Sequence, residues 1–293
     1  MTISLDKYLA GARRQLASAS ARTDAEVLAM HVCGLDRAGL ITHGDKELGV
    51  ELARQLDILI GRRTAGEPIA YLTGRREFWS LDLKVTPDTL IPRPETELLV
   101  SVALSQIPVD AQWAIADLGT GSGAITLALA RERPGCRLLG TDISPAAIAV
   151  ARENAGRHGL GRVSFREGPW LATLADERFG LIVSNPPYVR DDDPHLDTGD
   201  VRFEPRVALL GGHDGLVAIR EIADGARQYL EPGAWLMLEH GYDQAHSVRE
   251  ILIRNGYRDC TSFKDLSGHF RVSAGRYRHR QIDHHPRPAD RQG

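Results

Sequence analysis

Apolar positions along this chain change their rhythm near residue 90. Before that point they follow a helical period. Leu5, Tyr8, Leu9, Ala12 and Leu16 fall on one face, and "TDAEVLAMHVCGL" sets Thr23 and Glu26 at capping-box spacing ahead of a second apolar face. A third helix is predicted from Asp45 to Arg63. In "REFWSLDLKV", Arg76 to Val85, aromatic and aliphatic residues alternate with polar ones, the pattern of a short β-hairpin. "TLIPRPETE" then frames Arg93 between two prolines, with Pro94 and Glu95 suited to opening a helix, and reads as a hinge. From Gln112 onward strands and helices alternate. Ile115–Leu118 and Leu138–Thr141 read as strands, Ala124–Arg133 and Ser144–His158 as helices, and Ala234–Glu239 with Gln244–Asn255 repeat the unit. Such alternation predicts an α/β domain, a mostly parallel sheet with helices on both faces. The last stretch, 278–293, is polar, rich in Arg and His and without period, and reads as a disordered tail.

Composition narrows the picture only a little. The chain has 293 residues, 42% of them hydrophobic and 26% charged, which suits a folded protein of more than one domain. Its net charge of −3 does not mark it as a binder of bare nucleic acid. Residues 1–90 hold twelve Lys/Arg and twelve Asp/Glu, so the helical region lacks the basic face of a helix-turn-helix reader. Cys33, Cys136 and Cys260 form no close pair, and no run approaches a membrane span. A cytoplasmic, monomeric protein is expected, without a membrane or direct nucleic-acid partner and without a metal.

The candidate chemistry starts at "AIADLGTGSGAITLALA", where Gly119, Gly121 and Gly123 lie between a strand and a helix. Glycines let a ligand approach the backbone, and the helix start offers free N–H groups. Gly119, Gly121 and Ala124 also satisfy the dinucleotide fingerprint, with Asp142 as its acidic residue, so a nicotinamide cofactor is a legal reading. Asp117 speaks against it. A carboxylate at that strand end faces a diphosphate badly, but suits the ammonium end of S-adenosylmethionine, whose ribose Asp142 would hold.

The second motif is "SNPPYVR", Ser184 to Arg190, which closes a buried strand. Proline has no N–H, so the turn is stiff and offers mostly acceptors. The Asn185 side-chain oxygen and the Pro186 carbonyl suit an N–H₂ group. In an open α/β sheet both motifs fall at the carboxyl ends of the strands, where ligands bind. An N–H₂ group conjugated to a neighbouring π system is a poor nucleophile. A clamp that takes its two N–H bonds turns the lone pair toward a methyl donor, and alignment of this kind can supply ~7–11 kcal/mol.

"EPIAYLTGRREFWSLDLKVTPDTLIPRPETELLV", "DLGTGSGAI", "SNPPY" and "DPHLDTGDVRFEPRVALLGGHDGL" together resemble the PrmC/HemK family of protein-(glutamine-N5) methyltransferases, over roughly residues 1–277. The resemblance implies a class I S-adenosylmethionine-dependent methyltransferase fold. This is Rossmann-like, with a mostly parallel seven-stranded sheet, a small N-terminal helical domain and a β-hairpin linker. It divides the chain into a helical substrate-recognition domain (1–73), the linker (74–93), the methyltransferase domain (94–277) and the tail (278–293). It further implies that Gly119, Thr120, Gly121, Ser122 and Gly123 cradle the cofactor, that Asp142 binds ribose and that Trp170 lies against adenine. Asn185, Pro186, Pro187 and Tyr188 would grip the glutamine of a Gly-Gly-Gln tripeptide in class-1 peptide chain release factors. Asn185, Pro186 and Tyr188 are the catalytic set, and S-adenosyl-L-homocysteine is the product. Pro169 departs from the family, which often has a polar residue before the tryptophan.

Other readings stay open at this stage. A DNA amino-methyltransferase acting on adenine N6 or cytosine N4 needs the same clamp, but also a way to hold a duplex with a flipped base. A dehydrogenase leaves the Asn-Pro-Pro-Tyr turn unexplained, and a non-catalytic adaptor leaves two intact motifs unexplained. His240 in "LEHG" reads as a cofactor neighbour or a satisfied core histidine. Arg93 either orients the substrate loop or pairs with a carboxylate, and Asp191–Asp193 reads as a solvated acidic loop.

Overall fold

The apolar stripe that begins the chain is buried as its spacing requires: Leu5, Leu9 and Ala12 of α1 (Leu5–Leu16) pack on Ala25, Leu28 and Ala29 of α2 (Ala21–Cys33). The computed structural model describes residues 3–278, so from residue 279 on the expected tail lies outside the described residues. α2 starts two residues before Thr23, which therefore does not cap it. Ser20 holds that place, its hydroxyl donating to Asp24 over 3.0 Å, while Glu26 accepts from Arg13 and Arg22 instead of reaching back to the helix start. The helix expected from Asp45 begins only at Val50. Before it, β1 (Ile3–Ser4) pairs antiparallel with β2 (Glu47–Leu48), a bridge that buries Leu48 and takes these residues out of the helix. α3 (Arg37–Thr42), α4 (Val50–Thr64) and α5 (Ile69–Thr73) complete this region, with Leu56 and Ile60 of α4 buried against α1 and α2.

The hairpin follows, β3 (Arg75–Phe78) and β4 (Leu81–Lys84). Its two turn residues, Trp79 and Ser80, both have positive φ (51° and 55°), the primed geometry that matches the twist of paired strands. Phe78, Leu81 and Leu83 point into the core of the α/β domain, so the linker is part of that core. Asn154 fastens it. This fully buried amide accepts from the Lys84 N–H (2.7 Å) and donates to the Lys84 carbonyl (3.0 Å) and to the Ser122 carbonyl (2.9 Å) of the glycine loop.

The α/β domain carries helices α6 (Glu97–Gln106), α7 (Ala124–Glu132), α8 (Pro145–Arg157), α9 (Val217–Gly225) and α10 (Ala245–Arg254). Its strands are β5 (Ala114–Leu118), β6 (Arg137–Asp142), β7 (Ser164–Glu167), β8 (Phe179–Ser184), β9 (Leu230–Glu239), β10 (Arg258–Lys264) and β11 (Phe270–Arg276). They form one seven-stranded sheet in the order β10-β11-β9-β8-β5-β6-β7, in which β5 to β9 pair parallel and β11 runs antiparallel to both its neighbours. Alternate residues serve opposite faces, as a pleated strand dictates. Ile115, Leu181, Val183 and Met237 meet α6 and α7, whereas Ala116, Leu118, Ile182 and Leu238 meet α9 and α10.

The helical region is bolted to the loop that follows β8. Arg63 of α4 bridges Asp24 (2.8 Å) and Asp200 (2.7 Å), Arg202 donates to the Ala65 carbonyl, and Phe203 packs on Ala70, Tyr71, Val85 and Ile91.

Asn154→Ala is expected to cost about 3 kcal/mol, since one buried and two part-buried backbone groups lose their partner and each is worth roughly 1 kcal/mol. Urea unfolding checks this as a lower midpoint. A midpoint equal to wild type would mean the hairpin docks without the amide.

Candidate active site

Five parallel strands end on one edge of the sheet: β5 at Leu118, β6 at Asp142, β7 at Glu167, β8 at Ser184 and β9 at Glu239. β5 is flanked by β6 on one side and β8 on the other, so the chain reverses its winding there and leaves a crevice between the strand ends. The Ser184 hydroxyl donates to the Leu118 carbonyl over 2.6 Å, which locks the two central strand ends together.

The glycine loop is fixed from beneath. Gly119 and Thr120 N–H groups both donate to the Thr141 carbonyl at 2.8 Å. Thr120 and Thr126 hydroxyls both donate to one oxygen of Asp117, at 2.8 and 2.6 Å, while its other oxygen is buried with no side-chain hydrogen bond among the described residues. Desolvation pushes the Asp117 carboxyl up to about 6, against the pull of those hydroxyls. Asp117, expected to serve an ammonium group, is thus fully buried as the tie under the loop.

Above the loop lies a cavity of about 330 Å³ whose walls include Gly119, Gly121, Asp142, Ile143, Trp170 and Asn185. Gly119 has φ +73°, and a Cβ there would come within 3.1 Å of the Trp170 ring, so only glycine keeps both. Trp170 itself sits at φ +40°, a conformation that costs a non-glycine residue about 1–3 kcal/mol and here holds an indole against the cavity. The Asp142 carboxylate accepts from the Gly121 N–H (2.8 Å) and the Ser144 N–H (2.9 Å). Burial raises its pKa and these bonds oppose the rise; its remaining lone pairs suit a pair of hydroxyls. A carboxylate, bare backbone and a flat aromatic wall in one cavity fit an adenosyl group. Pro169 and Pro187 also line it, whereas Thr120 and Ser122 are buried in the loop and Gly123 holds the N-cap position of α7.

A second cavity of about 240 Å³ adjoins the first, walled by Arg93, Pro186, Tyr188, Leu196 and Val201 among others, and Asn185 lines both. The Asn185 Nδ2 donates to Thr96 Oγ1 over 3.2 Å, and among the described residues Oδ1 has no hydrogen bond. Among the described residues no N–H of the chain is bonded to the Pro186 carbonyl. The turn is held on its outer side. Gln244 donates to the Tyr188 carbonyl (3.1 Å), and Gly211 lies so near that a Cβ there would be 2.7 Å from the Pro187 carbonyl. The Tyr188 hydroxyl reaches Glu239 at 3.4 Å, and burial raises its pKa well above the usual phenol range.

Of the two roles weighed for Arg93, the pairing with a carboxylate is seen. It pairs with Glu204 of the loop after β8, whose buried carboxylate also accepts from the Ile91 N–H at 3.1 Å, which joins that loop to the hinge beside the second cavity. His240 is a satisfied core residue, its ring nitrogens 2.8 Å from the Gly241 carbonyl and 2.8 Å from the Ser273 hydroxyl. Asp193 caps a short helical turn and accepts from His195 at 2.9 Å. Sequence reasoning passed over Thr96, Glu204 and Glu239. For Glu239 a signal existed, a lone carboxylate ending the apolar run Ala234–Leu238.

Residues 7–74 match the family model of the PrmC N-terminal domain and residues 95–210 that of the methyltransferase small domain. The chain is 51% identical over 255 residues to a release factor glutamine methyltransferase of Xylella fastidiosa strain Temecula1, covering 87% of this chain and 93% of that one. It is 47% identical over 283 residues to the protein of that name from Vibrio cholerae, covering 95% and 98%. A solved methyltransferase from Pyrococcus furiosus shares the fold, at 19% identity and a TM-score of 0.53 over 75% of this chain and 98% of that one. With nearly half its residues identical over almost the full length of such relatives, the chain belongs to the release factor glutamine methyltransferase family.

Proposed function

We propose that this protein methylates the side-chain amide nitrogen (N5) of the glutamine in the Gly-Gly-Gln motif of class-1 peptide chain release factors, with S-adenosyl-L-methionine as donor. The observation that carries this reading is the place of Asn185, a polar side chain that lines both the cavity above the glycine loop and its neighbour, with an acceptor oxygen unbonded among the described residues. When bound, the cofactor supplies an electrophilic methyl group on a sulfonium centre.

The residues of the chain do the rest. Asp142 would hold the ribose hydroxyls, Trp170 and Ile143 would sandwich the base, and the loop from Gly119 to Gly123 would bring backbone close to the cofactor. In the second cavity the Asn185 Oδ1 and the Pro186 carbonyl would accept the two N–H bonds of the glutamine amide, which aims its lone pair at the first cavity. The Tyr188 ring would pack on the flat amide. As the nitrogen gains a methyl group it gives up one proton, which becomes acidic on alkylation and leaves to water. The helical region, fastened to the outer wall of the second cavity through Arg63 and Asp200, would meet the surface of the release factor around its exposed tripeptide. The balanced charge of that region and the net −3 of the chain favour a protein acceptor over DNA.

Transfer of labelled methyl groups to purified release factor, beside a release factor whose Gly-Gly-Gln glutamine is replaced and beside duplex DNA, tests the reading. Label on the wild-type protein alone is expected; label on DNA would assign the clamp to a base amine. Asp142→Ala is expected to raise the Kd for S-adenosylmethionine about 100-fold by calorimetry, two charge-assisted hydrogen bonds being worth roughly 3 kcal/mol. An unchanged Kd would put the ribose elsewhere. Asn185→Ala is expected to lower kcat roughly 100-fold or more while the cofactor Kd stays near wild type; parallel loss of both would mean that Asn185 serves the cofactor. Whole release factor is expected to be a better substrate than a short Gly-Gly-Gln peptide at equal concentration, and equal rates would deny the helical region a part in recognition.

A further inference from the structure

The base placed against Trp170 brings polar groups of its own. Adenine presents an exocyclic N–H₂ group, and each of its donors needs an acceptor or water once the ring is in a cavity. The wall beside the indole offers little. Pro169 has no side-chain acceptor, and its carbonyl accepts from the Ala172 N–H over 3.0 Å. The Trp170 carbonyl accepts from the Thr141 hydroxyl over 3.2 Å, and Ile143 is apolar.

Three carboxylates line this cavity, those of Asp88, Asp142 and Glu221. Two are engaged. Asp142 accepts from the Gly121 and Ser144 N–H groups, and Asp88 accepts from the Thr86 hydroxyl over 3.2 Å. Glu221 of α9 makes no hydrogen bond or ion pair among the described residues. Its neighbour Arg220, the nearest cation in the chain, is turned to Asp214 instead.

The packing of α9 sets where this carboxylate stands. Val217, Glu221 and Gly225 follow one another at intervals of four and share one face of the helix. At one end of that face a Cβ on Gly212 would collide with the Val217 side chain. At the other end a Cβ on Gly225 would collide with Leu171, the residue after Trp170. Glu221 lies midway, about 6 Å along the helix axis from each. The glycine at 225 lets α9 come close to the segment that carries the indole, and the side chain one turn earlier lines the cavity together with Pro169 and Trp170. Val217 and Ala218 are the other α9 side chains on that wall, and both are apolar.

We infer that Glu221 is a specificity-determining residue for the cofactor: its carboxylate accepts from the exocyclic N–H₂ of the adenine, a contact the Pro169 side chain cannot make. This rests on the adenosyl reading of the cavity given above.

The test uses the full chain and calorimetry on wild type, Glu221→Ala and Glu221→Gln. The ligands are S-adenosylhomocysteine and its analogue in which hydrogen replaces the amino group of the purine. Wild type is expected to bind the amino form roughly 10- to 100-fold tighter, the range for a hydrogen bond to a charged group. In Glu221→Ala the preference should fall to about threefold or less, through weaker binding of the amino form alone. Glu221→Gln, which keeps an acceptor oxygen, should retain part of the preference. Glu221 is exposed and unpartnered among the described residues, so both variants should melt with wild type. A wild-type chain that binds the two forms equally would overturn the inference. So would a Glu221→Ala chain that keeps the full preference, or one that loses affinity equally for both forms. A wild-type chain that does not bind S-adenosylhomocysteine would instead remove the adenosyl reading itself, and this inference with it.

Discussion

An asparagine amide has two ends of nearly the same shape and opposite hydrogen-bonding character, and the methyl transfer proposed for this site depends on which end of Asn185 faces the second cavity. The sheet places the residue, because β8 ends beside β5 at the point where strand order reverses and Ser184 ties the two strand ends together. Proline on its C-terminal side stiffens the backbone and removes donors. Neither feature chooses between the ends of the amide. In the structure the Nδ2 end donates to the Thr96 hydroxyl, at the start of the helix after the hinge. A site that is to receive an N–H₂ group has to be all acceptor, and a single turned amide would spoil it.

The same economy of direction runs through the neighbouring elements. Asp117 is placed under the glycine loop where two threonine hydroxyls can reach it, and the loop is thereby held open over a cavity instead of collapsing into it. Glu204 does for the loop after β8 what Asp117 does for the glycine loop. It takes the Ile91 N–H and the Arg93 guanidinium, joining the hinge and the loop beside the second cavity. Buried carboxylates are costly unless given donors, and these two are given donors that come from different segments of the chain. The result is a pair of cavities whose walls are drawn from the hinge, the glycine loop, the Asn185 turn and the loop beyond it, with the helical region braced against the last of these through Arg63.

Much of this was legible in the sequence, for reasons that differ by residue. Period-2 and period-3.6 patterns give the elements of the sheet domain to within a few residues, since buried strands and one-sided helices leave little choice of side chain. Glycines at Gly119 and Gly121 and the prolines at Pro186 and Pro187 are readable because they are backbone statements, each needed for a conformation. What failed to show is what depends on partners distant in the chain. Thr23 has the right spacing for a cap, yet Ser20 lies one turn of chain earlier with Asp24 in reach, and the helix starts there. The helix expected at Asp45 gives up its first residues to a bridge with Ile3 and Ser4, more than forty positions away. Thr96 and Glu239 carry no local motif, and only the fold brings them to Asn185 and Tyr188. His240, by contrast, drew notice as a residue type and proves to be a core histidine with both nitrogens engaged.

The most direct measurement is a structure of this protein with S-adenosyl-L-homocysteine and a peptide carrying Gly-Gly-Gln. The glutamine side-chain nitrogen is expected within hydrogen-bond distance of the Asn185 Oδ1 and the Pro186 carbonyl, its amide against the Tyr188 ring, with Asn185 Nδ2 still on Thr96. A glutamine bound elsewhere, or an Asn185 amide turned with its nitrogen toward the substrate, would contradict the clamp.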